Sequence, residues 1–598
     1  MPDFRKWLIA LAGVTLFTGL ASAQVANTTC TVNGSATPIL RGEGFTEQTG
    51  DIILVCTGGT PGALANITLF MNTQVTSRLL GNASISNASE ALLLINEPGP
   101  AAQSPCNTPG QGAGTGANPT PCPATSNVYQ GLVTGNQITF LGIPVLPPGT
   151  QTSSVLRITN VRVNASALSA SGPTPSSVIA SVSTSGTNAV NIVNPTLTVG
   201  FVQQGLSPTG TKATTISGGG TPLNVNQCNS LSLGAGTNLI TFQENFATAF
   251  KTQFASPTNG TAISPTNSTP GVITNSESGF IQTGVFGTGG GTTTNYAGVA
   301  NFGTRLKATF TNVPSGVSIF VSTRDIINTN TAAPSGNPNA VLVVGENVPS
   351  PNGAVPAVTP TQTSGASSSS PQIQIAPVTI IGNSGTAVWE VLNTNPNTID
   401  SLTFGVYMSY TANVANNTPA PGTIGVTLSF APTPSGGGFT ATAGAAASGT
   451  LNIPRFSDTL DINASLVKIN ICQTALLFPY VVNVNGFDTG IAIANTTTDP
   501  FGTSPQAGPC QLTFYGSGAP ATQPPPTSSI ASGMVYTNLA STLAPGFSGY
   551  MIAVCNFQDA HGFAFVSDVG ARNLAMGYLP LVITDRAAPA NQGENLNN

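Results

Sequence analysis

In Leu306-Lys307-Ala308-Thr309-Phe310, apolar and polar side chains alternate. Asn312-Val313-Pro314-Ser315-Gly316 follows with turn chemistry, and Val317, Ile319 and Val321 resume the alternation. Successive side chains of a strand point to opposite faces, so each run has one apolar and one polar face. The segment therefore reads as a hairpin packed on one side, and it sets the pattern for the rest of the chain.

Working outward, short β-prone runs separated by Gly, Pro, Asn and Ser recur in both directions. Towards the N-terminus lie Asp51 to Cys56, Ile67 to Phe70, Ala91 to Ile95, Gln137 to Leu141, Val155 to Val163 and Val178 to Val182. These define an N-terminal β domain over 24–206, with a long Pro/Gly/Ser/Thr-rich loop at 98–126. The hairpin belongs to a second β domain, 225–350. There Phe242, Phe246, Phe250 and Phe254 recur every four residues and form the best helix candidate of the chain, although their Phe and Thr content fits an edge segment nearly as well, and core packing is their expected role. A Pro/Thr/Ser stretch at 351–371 separates it from 371–431, a small β-sandwich or a continuation of the preceding domain. Beyond a Gly/Ala-rich stretch at 432–449, a C-terminal β domain spans 465–585. In it Val481 to Val484 faces Ile491 to Ala494 across a loop read as a second hairpin, and a polar tail follows at 586–598. The fold class expected is mainly β: several immunoglobulin-like or related antiparallel β-sandwich domains with long Gly/Pro/Ser/Thr-rich loops.

The chain opens with Arg5-Lys6, an apolar run from Trp7 to Leu20, and Ala21-Ser22-Ala23. A basic start, a short apolar core and an Ala-x-Ala end make a signal peptide over 1–23. Eight cysteines follow it: Cys30, Cys56, Cys106, Cys122, Cys228, Cys472, Cys510 and Cys555. An even count in an exported chain reads as disulfides, although eight thiols allow about 105 pairings. Nearest-neighbour closure joins Cys30 to Cys56, Cys106 to Cys122 and Cys510 to Cys555, leaving Cys228 with Cys472. Zinc is disfavoured, because no Cys-x-x-Cys pair exists and the chain has one His.

Only 6% of residues are charged, and the formal net charge is −5, or −6 without the Asp3, Arg5 and Lys6 of the leader. Nucleic-acid binding needs a dense basic patch, which is missing. Electrostatic attachment to anionic lipid is disfavoured on the same ground, and no membrane insertion is expected after cleavage. A surface of Ser, Thr, Asn, Gln and Gly is hydrated yet weakly self-repelling, which favours close association.

No catalytic signature emerges. His561 lies near Asp559, Ser567 and Asp568 without a Gly-x-Ser-x-Gly elbow, so the turn or interface reading is preferred. Acidic residues such as Glu43, Glu47, Asp51, Glu90, Glu244, Asp325, Glu390, Asp461, Asp488 and Asp568 are scattered rather than arranged for glycoside hydrolysis. Asn485, Asp488, Asn495 and Asp499 supply calcium-type oxygens without an Asp-rich repeat. The glycine run Gly287 to Thr292 lacks the Lys of a phosphate loop. No catalytic residue, metal site or cofactor is assigned.

The Ala-x-Ala-Gln start, Gly50-Asp51-Ile52 to Gly58-Gly59, Gly549-Tyr550-Met551-Ile552-Ala553-Val554-Cys555-Asn556-Phe557 and His561-Gly562-Phe563-Ala564-Phe565 resemble large uncharacterised exported proteins of environmental Gram-negative bacteria. That resemblance implies export and carries no functional residue. The expected role is an exported structural or interaction protein of the cell surface or extracellular space. It would form a homo-oligomer or surface assembly through β-strand edges, or meet a glycan or another cell-surface partner. An adhesin or carbohydrate-binding protein is the alternative, and a secreted glycoside hydrolase or other hydrolase ranks below both.

Overall fold

A computed structural model describes residues 27–80, 85–106, 122–146, 153–168, 174–186, 190–215, 222–233, 237–255, 265–287, 296–327, 338–348, 362–364, 373–412, 419–434, 452–501, 503 and 505–583. The signal peptide, the tail 586–598, most of the stretches 351–371 and 432–449, and the centre of the loop 98–126 lie outside them. The protein is mainly β, with 52% strand against 3% helix, and almost all strand pairs are antiparallel.

In the first unit a single eleven-stranded sheet wraps one core. Its strands run from Thr28–Gly34 to Thr196–Gln203, and Ile39–Arg41 ends one edge. Alternation does the work: Ile52, Leu54 and Cys56 are buried, while Ile53, Val55 and Thr57 between them are not. Cys30 and Cys56 are direct cross-strand partners with Cα atoms 4.0 Å apart, and they are disulfide-bonded.

The second unit is a sandwich of two six-stranded sheets. Strands from 225–350 and from 371–431 interleave in both sheets: Thr237–Gln243 pairs with Ser401–Ser409, and Arg305–Thr311 lies between Gly385–Asn393 and Gly422–Ala431. The two segments therefore share one core. Ile462–Asn470, read from sequence as the start of the C-terminal domain, also belongs here; it pairs antiparallel with Gly422–Ala431 and parallel with Leu223–Asn226. Two residues beyond each of those parallel strands, Cys228 and Cys472 are bonded.

The segment 306–321 behaves differently from the hairpin expected of it. Arg305–Thr311 and Ser318–Ser322 lie in opposite sheets of the sandwich and do not pair. The apolar face is as read, since Leu306, Ala308, Phe310, Ile319 and Val321 are all buried in one core, but the opposite face of the first strand is covered too, where Lys307 is buried against Glu346 at 3.1 Å. The connection crosses between sheets, a step of about 10 Å that a six-residue link can span. Thr474–Val482 and Asp488–Asn495 repeat this geometry in the C-terminal unit, so the second expected hairpin is also an inter-sheet arch.

The Phe242–Phe254 helix is corrected as well. Phe242 sits in the strand Thr237–Gln243, and the following segment is an irregular loop that buries Phe246, Phe250 and Phe254. The Glu244 carboxylate fixes the loop by accepting the Phe250 and Asp400 amides at 2.6 and 2.8 Å. Specific side-chain-to-backbone bonds replace the helical ladder here.

The third unit begins at Thr474 and packs two four-stranded sheets around its own core. Cys510 and Cys555 are cross-strand partners and are bonded, as are Cys106 and Cys122 in the first unit.

At the centre of the second unit Trp389, from one sheet, stacks on Phe404 of the other with centroids 4.2 Å apart. Its indole N–H donates to Ser322 O at 2.9 Å. Truncating a fully buried aromatic removes its transfer energy and leaves a cavity. Phe404→Ala is expected to destabilise this unit by about 3–5 kcal/mol, with Trp389 fluorescence shifting to the red; denaturant titration followed by that emission checks both.

Candidate functional site: a buried charge cluster and its adjoining cleft

For a chain with so few charges, many are out of water, and they gather where the first two units meet. Arg41, at the end of the edge strand, is the hub. Its Nε and Nη2 donate to Glu47 Oε1 at 2.9 and 2.7 Å, and its Nη1 and Nη2 donate to Glu277 Oε1 and Oε2 at 2.8 and 2.9 Å. Nη1 also reaches Thr304 Oγ1 and Ala249 O. The guanidinium lies 4.7 Å from the centre of the Phe456 ring, which stacks on Phe430. One side chain of the first unit is thus engaged by four segments of the second.

Glu47 is held in place by a two-stranded ribbon with Arg162–Val163. Arg162 donates to Glu90 Oε1 at 3.0 Å and to Glu277 O at 2.6 Å, while Glu90 Oε2 accepts the Gly298 amide at 3.1 Å. Gly298 has φ +84°, and a Cβ there would fall 2.0 Å from Phe280 O, so the position requires glycine. Backbone bonds complete the seam, with Phe45 N donating to Arg455 O and Ser457 N to Glu43 O.

Electrostatics follow from burial. Glu47 is held down at about 2: burial opposes this, but Arg41 and Lys251 outweigh it. Glu43 accepts the Gly205 and Leu206 amides yet is pushed up to about 7 by burial, and burial likewise raises Glu244 to about 8. Burial pushes Arg78 and Arg455 down to about 10. At this seam Arg41 is paired with Glu47 and Glu277, Arg162 with Glu90, and Lys251 more distantly with Glu47.

Beside the cluster opens a cleft of about 450 Å³ between the two units. Lys251 reaches both: its Nζ is 3.7 Å from Glu47 Oε2, and it lines the cleft. The other charged residue in the lining is Asp51, which accepts from Arg157 Nη1 at 3.0 Å.

The residues singled out from sequence do not converge elsewhere. His561 and Ser567 stand at opposite ends of the strand Ala560–Ser567; His561 Nδ1 lies 3.0 Å from Thr496 Oγ1, and Asp568 caps a turn by accepting the Gly570 and Arg572 amides. Asp488 and Asn495 are likewise at opposite ends of one strand. Asp488 binds Ser541, Asn495 donates to Gln506 O and Ile530 O, and Asp499 accepts the Phe501 amide. Among the described residues no cluster of three His, Cys, Asp or Glu could hold a metal ion. The Gly287 to Thr292 run lies mostly outside them. Sequence reasoning named Glu43, Glu47, Asp51 and Glu90 only as scattered acids and missed Arg41, Arg162, Lys251 and Glu277. The available signal was charge scarcity itself, since Arg41, Glu43 and Glu47 fall within seven residues.

The raised Glu43 value has a defined sign. A carboxyl whose folded pKa of about 7 exceeds its ordinary 4.5 binds its proton more tightly when folded, so its contribution is complete below about pH 4.5 and lost as pH rises through 7. Glu43→Gln should therefore lose less stability than the unaltered chain between about pH 5 and about pH 8, by on the order of 2 kcal/mol; paired denaturant melts across that range measure it.

No family model matches the chain, and no curated protein does. Among solved structures it is similar to a serine-rich repeat adhesion glycoprotein of Streptococcus agalactiae (9% identity, 67% of this chain and 91% of that one, TM-score 0.17). The CupB6 tip adhesin of Pseudomonas aeruginosa matches at 8% identity over 74% of this chain and 99% of that one, TM-score 0.14. The pilus backbone RrgB of Streptococcus pneumoniae matches at 8% identity over 93% of each chain, also with TM-score 0.14. At these scores the superpositions assign no residue and no activity to this chain.

Proposed function

We propose that this is an exported interaction protein of the cell surface, in which the two fused N-terminal units form a rigid body and the C-terminal sandwich makes contact. The carrying observation is where apolar side chains meet water. The sandwich 474–583 exposes more large hydrophobic side chains than the rest of the described chain together. Its sequence contains four Asp, one Arg, one His and no Lys or Glu.

Both outer faces take part. On one, Tyr515 and Tyr550 are cross-strand partners whose rings stack 5.1 Å apart, both well exposed. On the other, Phe563 and Phe565 line one wall of a trough floored by Gly490 and Ala492, and Leu539 lines the opposite wall. The small floor residues sink the trough. At the side of the sandwich, the short edge strands Ala575–Tyr578 and Leu581–Ile583 belong to different sheets and present Met576, Leu581 and Val582, with Leu579 exposed in the link between them. Exposed apolar edges and patches of this kind are contact surfaces for another chain or a surface. Disulfides in all three units fit an extracellular location.

The combined variant Tyr550→Ser, Phe563→Ser, Phe565→Ser should stay folded with a lowered melting temperature, because these side chains are only half exposed, yet lose at least about tenfold in self-association or cell attachment at a temperature where it is folded. Analytical ultracentrifugation and a cell-retention assay read the two. An unaltered chain that stays monomeric and does not attach to cells refutes the reading.

A further inference from the structure

We propose that the cleft between the first two units binds a carboxylated saccharide, an oligosaccharide containing uronic acid, with the carboxylate seated on Lys251. This site is separate from the C-terminal faces and does not depend on their role.

Lys251 is the first argument. An ammonium carries three N–H donors, and only 13% of this side chain is exposed. Among the described residues its Nζ has one charged partner, Glu47, at 3.7 Å, beyond hydrogen-bond reach, and Glu47 already takes two short bonds from Arg41. The ammonium of this cleft-lining residue therefore has no hydrogen-bond acceptor among the described residues. A buried cation without a hydrogen-bond partner is costly. A carboxylate entering from the cleft would supply the missing acceptor.

The second argument is the character of the walls. Apart from Lys251 and Asp51 the lining is neutral, and Asp51 is occupied by Arg157, so one negative charge on the ligand matches the one available cation. Hydroxyl and amide groups alternate with apolar surface from Ile39, Val272, Ile273 and Phe280. The Thr248 hydroxyl and Asn275 Oδ1 make no bond among the described residues, although the Asn275 amide nitrogen is fixed to Phe250 O and Thr394 Oγ1. Pro38 and Pro396 add flat apolar surface. Closely spaced donors and acceptors beside small apolar plates suit a ring bearing several hydroxyls, and the volume falls in the range of about 300–1,000 Å³ typical of small-ligand clefts. A phosphate dianion would need a second free cation, which the lining does not offer.

The test is calorimetric titration of the full exported chain with aldotriouronic acid, a xylobiose bearing a single glucuronate, with xylotriose as the neutral saccharide and inorganic phosphate as the simple anion. The aldotriouronate should bind, with xylotriose and phosphate each at least about tenfold weaker, as a charge-assisted hydrogen bond implies. Lys251→Gln should lower aldotriouronate affinity at least about tenfold and Thr248→Val severalfold. Trp389 fluorescence melts confirm that each variant is folded. Absence of aldotriouronate binding at millimolar concentration, phosphate binding as tightly, or affinity unchanged in Lys251→Gln overturns the proposal. Should Lys251→Gln fail to fold, unchanged affinity in Thr248→Val overturns it.

Discussion

The bidentate engagement of Arg41 by Glu47 and Glu277 is the interaction on which the first two units depend. Removing a guanidinium and two carboxylates from water is expensive, and the expense is offset only when geometry and hydrogen bonding are nearly complete. Here they are: both carboxylates and two further oxygens accept from one side chain, and two aromatic rings cover it. A wrong docking would strand buried charges without partners. The cluster therefore specifies one arrangement more than it adds net stability, and the backbone bonds at Phe45 and Ser457 follow from that alignment.

Charge distribution sorts the rest of the molecule. Cations and carboxylates are concentrated at the seam and within the second unit, while the C-terminal sandwich is left with few charges and apolar outer faces. The same scarcity thus has opposite consequences at the two ends: rigidity where charges are paired and buried, contact surface where they are missing. Cys228–Cys472 stands between the two regimes, closing the second unit two residues before the third begins.

Much of this was legible in the sequence and some was not. Alternation at 306–310 and 317–321 identified the buried apolar side chains correctly but missed Lys307, which is buried against Glu346, and the four disulfides observed are those of nearest-neighbour closure with its remainder. The four-residue recurrence of phenylalanine misled, because burial in a loop needs no helix when Glu244 can hold the backbone. The cleft was invisible, since Lys251, Asp51, Thr248 and Asn275 meet only once two units have docked.

What the sequence determined by itself is which face turns inward in strands that alternate, such as Ile52–Thr57 and Asp488–Asn495, because the period of two is a local property of the extended backbone and each apolar side chain carries its own transfer energy. Which strand becomes the neighbour was decided only by the tertiary structure. Arg305–Thr311 and Ser318–Ser322 satisfy the same alternation as a hairpin or as an arch, and the choice fell to the arch because both apolar faces then close on Trp389 and Phe404 from opposite sheets. That outcome depends on partners such as Ser401–Ser409 and Gly422–Ala431, more than eighty residues away, whose positions no local pattern encodes.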